Sequence, residues 1–112
     1  MSKVAKGSFE VTFSRFSGNF IADGFGVQIH GLFEQNIPDF IVPNAHVTYS
    51  DLSDFEGLYQ ISYEGVPSFV GIETINIGLE KRGGKFLKLT GTMQTPIPYR
   101  EVVTGSAQWT RS

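Results

Sequence analysis

Glu73 is the residue best placed, by type and spacing, to do chemistry. It stands in "SFVGIETINIGLEKRGGKFLKLTGTM", residues 68–93, where apolar side chains recur with period two at Phe69, Ile75, Ile77, Leu79, Leu87, Leu89 and Met93. On that period its carboxylate enters the apolar side between Gly71 and Ile75. A buried, unpaired anion is costly, so Glu73 must be protonated, hydrogen-bonded or close to a wet mouth. Tyr49, Tyr59 and Tyr63 lie on the apolar faces of other alternating runs and carry phenolic donors, and Trp109 is placed to cap one end of the fold or to stack on a ligand. An apolar lining with a few converging polar groups is the usual make-up of a small-molecule site. The expected ligand-binding set is therefore Glu73, Tyr49, Tyr59, Tyr63 and Trp109. As an enzyme, the same site would be an isomerase or cyclase with Glu73 as acid, base or water-holder, which needs a raised carboxyl pKa. The plain alternative puts Glu73 at a rim, or bonds it to neighbouring groups inside the core.

Other reactive types are less suggestively arranged. His30 and His46 project to the polar faces of different strands with no short-spaced His or carboxylate companion, so no metal site is expected. No G-x-S-x-G elbow occurs. "EKRGGKFLK" gathers Lys81, Arg82, Lys85 and Lys88 at a hairpin tip, a set able to touch a phosphate or carboxylate but more simply read as a solvated hairpin that discourages edge pairing. No cofactor is implied.

Composition bounds the rest. The chain has 112 residues, which fits one domain over residues 1–112 with a real core. Ten Phe, four Tyr and one Trp beside thirteen Gly suit a curved sheet better than a helical bundle. A formal charge of −2 leaves no broad basic field for nucleic acid or anionic lipid, and with no cysteine there are no disulfides or thiolate sites. "MSKVAKG" is followed by no apolar run of signal-peptide type, so a cytoplasmic protein is expected.

The elements that must hold these residues are strands. "SFEVTFSRF" alternates Phe9, Val11 and Phe13 with polar residues, "SGN" reads as a turn, and "FIADGFGVQIHGLF" puts Phe25, Val27, Ile29 and Phe33 on one face. In "FIVPNAHVTYS" the proline Pro43 suggests an edge or a bulge, after which Ala45, Val47 and Tyr49 share a face. "DLSDFEG" reads as a turn-rich link to "LYQISYEG", and "EVVTGSAQW" places Val103, Ala107 and Trp109 together. Register across Gly83-Gly84-Lys85 sets Leu79 opposite Leu89 in a three-residue loop. Seven or eight antiparallel strands with one apolar face close most economically into a single all-β barrel; a two-sheet sandwich is the alternative.

The succession "AKGSFEV", "SFVGIE", a glycine-containing hairpin, "KFLKLTGTM" and a terminal strand resembles a family of small uncharacterised bacterial proteins similar in fold to the allene oxide cyclase barrel, most closely over residues 68–93. The resemblance implies an antiparallel barrel of about eight strands, allene oxide cyclase-like or calycin-like, and no particular reaction. Taken together, the expectation is a non-catalytic binding or assembly module with an interior site for a small, largely apolar ligand. A purely structural homo-oligomer is the further alternative, with Phe16, Phe40 or Phe55 on offer as interface residues.

Overall fold

Alternating apolar and polar residues become strands because successive side chains on an extended backbone point to opposite faces. A computed structural model of the chain describes residues 3–61, 68–81 and 84–111, and in it the strands are β1 (Lys3–Thr12), β2 (Arg15–Ala22), β3 (Phe25–Phe33), β4 (Phe40–Tyr49), β5 (Gly57–Ile61), β6 (Phe69–Val70), β7 (Thr74–Lys81), β8 (Lys85–Thr92), β9 (Glu101–Val102) and β10 (Gly105–Arg111). A 3-10 turn, Leu52–Asp54, interrupts the link between β4 and β5.

Eight staves close into one antiparallel barrel. β5 and β6 lie in line along the same edge of β7, through the pairs Gln60↔Glu80 and Phe69↔Asn76. β10 pairs with β5 and β9 with β6, so these four strands make two staves. The order around the wall is β4, β1, β2, β3, β10/β9, β5/β6, β7, β8, and the β8–β4 ladder shuts it. Each half of the chain thus traces a Greek key, three neighbouring strands with the fourth returning beside the first. That order differs from the next-neighbour succession of an up-and-down barrel such as a calycin. A sandwich is excluded, since the ladders run unbroken round the ring.

Among the described residues 29 buried hydrophobic ones fill the interior, Phe9, Phe20, Val47, Ile77, Leu89 and Trp109 among them, as expected of a barrel whose eight strands leave an interior just wide enough for side chains. Phe16, Phe40 and Phe55, expected on a subunit interface, are inside as well. Phe13, at the reversal after β1, and Phe25, at the start of β3, both expected inward, turn out where the wall ends.

Three local readings are corrected. "SGN" is not a turn: Ser17, Gly18 and Asn19 sit within β2, and the chain reverses at Phe13 and Ser14, both at positive φ. Gly18 is required by proximity, because a Cβ there would lie 2.8 Å from the Phe20 ring and 2.9 Å from the Ser8 carbonyl. At the β7–β8 hairpin, Lys81 pairs with Lys85 and Leu79 with Leu87 rather than Leu89, so Lys85 belongs to β8 and not to the loop, and Gly84 before it has φ +92°. The inward parity survives this shift because it moves the register by an even step. Pro43 does mark a bulge: between the pairs Gly7↔Ala45 and Phe9↔Val42, β4 carries two residues against one on β1.

Candidate functional site

The barrel's two ends are closed differently. At one end Ile37, Ile97, Met93, Phe33 and Phe40 fill the opening. The loops there are clasped by Ser14 Oγ, which donates to the Gln35 carbonyl at 2.8 Å, and by a reciprocal Gln35–Thr104 pair at 2.9 Å. At the other end a single segment, residues 50–56, folds across the mouth and drives Phe55 into it. Phe55 meets Trp109 of β10 edge-on at 4.8 Å and Tyr49 of β4 at 4.7 Å, while Phe20 of β2 lies 5.9 Å from Trp109.

Glu73 has no part in this cluster. It belongs to the turn between β6 and β7, where the Gly71 N–H donates to the Thr74 carbonyl at 2.9 Å, and it is exposed. The parity that placed it inside changes at that turn: Ser68, just before β6, and Val70 on β6 are buried, Phe69 lies half-exposed with the Arg100 guanidinium 4.3 Å above its ring, and odd positions on β7 face inward from Ile75 onward. An acid in the turn is therefore outside the period on either side of it. Tyr63 lies outside the described residues. Tyr49, Tyr59 and Trp109 are brought together at the mouth, all three buried.

Among the described residues the buried acid is Asp54, 5 % exposed, in the covering segment. One carboxylate oxygen, Oδ2, accepts the backbone N–H groups of Ser50 and Asp51, each at 3.1 Å, and Oδ1 lies 3.2 Å from Lys85 Nζ. Asp51 in turn accepts the Ser53 N–H at 3.3 Å, so the two acids form a capping box around the 3-10 turn. Burial alone would push the Asp54 carboxyl up, but the N–H donors of Asp51 and Ser50 and the Lys85 ammonium outweigh it and hold the pKa below its ordinary value. This is an anchored anion, the opposite of a carboxyl poised for acid–base work near neutrality. The Tyr59 hydroxyl donates to the Asp54 carbonyl at 2.5 Å, and burial, helped by the Asp54 charge, pushes its phenol up to about 12.

One polar atom here is left over. Trp109 Nε1 is buried and has no hydrogen-bond acceptor among the described residues. Buried donors are nearly always paired, and leaving one unpaired costs roughly 1–3 kcal/mol, so an orphan at the centre of a ring cluster asks for a reason.

Sequence reasoning missed Asp54, Phe55 and Phe20. For Asp54 a signal exists, since Asp51 and Asp54 have the spacing of a capping box; for the two phenylalanines none does. The basic hairpin is also more engaged than expected of a solvated tip. Lys81 Nζ donates to the Glu56 carbonyl at 2.9 Å, and Lys85 Nζ to Ser53 Oγ at 3.3 Å.

On the outer wall, Glu10, Ser17 and His30 stand opposite one another on β1, β2 and β3, beside Arg15, Leu32 and Phe13 in an open concavity. Ser17 lies between the other two, so the order of a Ser–His–acid relay is not present. Among the described residues no three His, Asp or Glu side chains gather as a metal set would. No family model matches the chain, and no curated protein or solved structure matches it significantly. The closed eight-stranded antiparallel barrel rests on its strand pairings, and no family match supports the allene oxide cyclase likeness.

Proposed function

We propose that this barrel is a non-catalytic binding module that takes a small, largely apolar molecule with one hydrogen-bond acceptor at the mouth beneath residues 50–56. The observation that carries this reading is the buried, unpartnered Trp109 indole N–H amid Phe20, Tyr49 and Phe55. A ligand ring replacing that of Phe55 would keep the apolar contacts, and its acceptor would satisfy the N–H. The resemblance of residues 68–93 to allene oxide cyclase-type barrels agrees with an apolar ligand and supports no reaction. An isomerase or cyclase built on Glu73 loses its basis with that residue in solvent. Assembly as a homo-oligomer is a separate reading, since exposed apolar side chains such as Phe13, Leu58 and Phe86 are of a kind any folded surface carries.

Calorimetric titration with acetylnaphthalene and with ethylnaphthalene, its counterpart lacking the carbonyl, tests the reading. One satisfied hydrogen bond, at about 1 kcal/mol, gives the acetyl compound a roughly fivefold preference. Trp109→Phe should erase that preference. Absence of binding by both compounds, in a protein shown to be folded, rejects the proposal.

A further inference from the structure

We infer that residues 50–56 are a hinged cover that opens as one body while the barrel wall stays folded, with the cation set of the β7–β8 hairpin and β10 as its latch. The inference concerns how the mouth is opened, and only its purpose rests on the binding function proposed above.

Three sets of contacts carry it. The segment is braced within itself: Asp54 N–H donates to the Asp51 carbonyl at 2.9 Å, Phe55 N–H to the Leu52 carbonyl at 3.1 Å, and the Asp54 carboxylate gathers the Ser50 and Asp51 N–H groups. It takes no part in a ladder, because β4 ends at Tyr49 and β5 begins at Gly57, whose φ of +86° makes a sharp joint. Its polar ties to the wall are made by side chains, with Lys85 on Asp54 and Ser53, Lys81 on the Glu56 carbonyl, Arg111 on the Glu56 carboxylate, and the Tyr59 hydroxyl on the Asp54 carbonyl. Lys85, Lys81 and Arg111 are all exposed or half-exposed, so water can take their place as the segment leaves. The buried Tyr59 hydroxyl bond must break as well, but a unit that is rigid inside, outside every ladder and otherwise tied at its rim is one that opens below the free energy of global unfolding. What it uncovers is Trp109.

The sequence holds one tryptophan, so its indole N–H gives one resonance whose hydrogen exchange reads the cover directly. In the full chain, indole exchange should run faster than that of the ladder amides of Val47 and Leu89. Urea below the unfolding transition should speed the exchange of those amides steeply, because they exchange on global unfolding, and that of the indole only slightly, because the cover exposes little surface. Lys85→Met, which breaks a latch tie, should speed indole exchange about twofold, whereas Lys85→Arg, which keeps the charge, should stay near the wild-type rate. If Lys85→Met does not fold, added salt on the wild-type chain weakens the same ties and should speed the indole by a similar factor, and the urea comparison needs no variant. Indole exchange that moves in step with Val47 and Leu89 under every condition overturns the inference. Decoupled exchange without acetylnaphthalene binding supports the cover and removes the proposed function; binding with coupled exchange does the reverse.

Discussion

Replacing Asp54 by alanine perturbs the acid on which the covering segment is organised. The carboxylate accepts two backbone N–H groups at 3.1 Å and faces Lys85 at 3.2 Å, with its own side chain 7 % exposed. Loss of the capping box costs about 1 kcal/mol, and bonds to a charged acceptor add a further 1–2 kcal/mol or so, because Ser50 and Asp51 are exposed enough for water to restore part of their bonding. Lys85 is 45 % exposed and rehydrates, so its pairing is counted at only about 0.5 kcal/mol. The sum is near 3 kcal/mol, which lowers the melting temperature of a domain this size by roughly 10–20 °C. Its pH dependence is the sharper check. Because the folded pKa of Asp54 lies below 3.8, its contribution is present above that value and is lost as the pH falls through 3.8 towards the folded pKa. Urea denaturation of wild type and Asp54→Ala at neutral and acid pH should therefore converge on acidification. A gap under about 0.5 kcal/mol at neutral pH, or one that does not narrow in acid, refutes the reasoning.

Because burial pushes the Tyr59 phenol up to about 12, stability that is complete below pH 10 is lost as the pH rises through 10 towards about 12. Ultraviolet titration of phenolate should show one tyrosine ionising last, and Tyr59→Phe should remove that step and cost about 1 kcal/mol. Gly18→Ala, by placing a Cβ 2.9 Å from the Ser8 carbonyl, should destabilise by about 1–3 kcal/mol in chemical denaturation. Glu73→Ala, in an exposed turn, should change stability by no more than about 0.5 kcal/mol; a loss of several times that would restore an interior role for Glu73.

Period two made most of the wall legible. Ile75, Ile77 and Leu79, Leu87 and Leu89, and Ala107 with Trp109 all face inward as alternation requires, and Pro43 announced its bulge. Alternation carries no information through a turn, however, and Glu73 was misplaced because the period of β7 was extended backwards through residues 71–73. Gly18 misled for a related reason, since a glycine needed for close approach inside a strand looks like one needed for a turn. The ring order was not legible at all. Pairing β3 with β10 joins Ile29 to Trp109 across most of the chain, and nothing local to either residue specifies it. The repetition of one Greek key in both halves of the chain is likewise a matter of path, which side-chain types need not repeat. Asp54 and Phe55 stayed hidden because a short polar link does not disclose that it folds back over a barrel end.

The most direct test of the account is the position of bound acetylnaphthalene in the wild-type protein, determined by intermolecular nuclear Overhauser contacts or by crystallography. The account predicts the ligand ring against Trp109 and Phe20, its carbonyl accepting the Trp109 Nε1 hydrogen, and Phe55 moved out with residues 50–56. A ligand on the outer wall beside Phe13 and His30, with Phe55 still seated against Trp109, would contradict it.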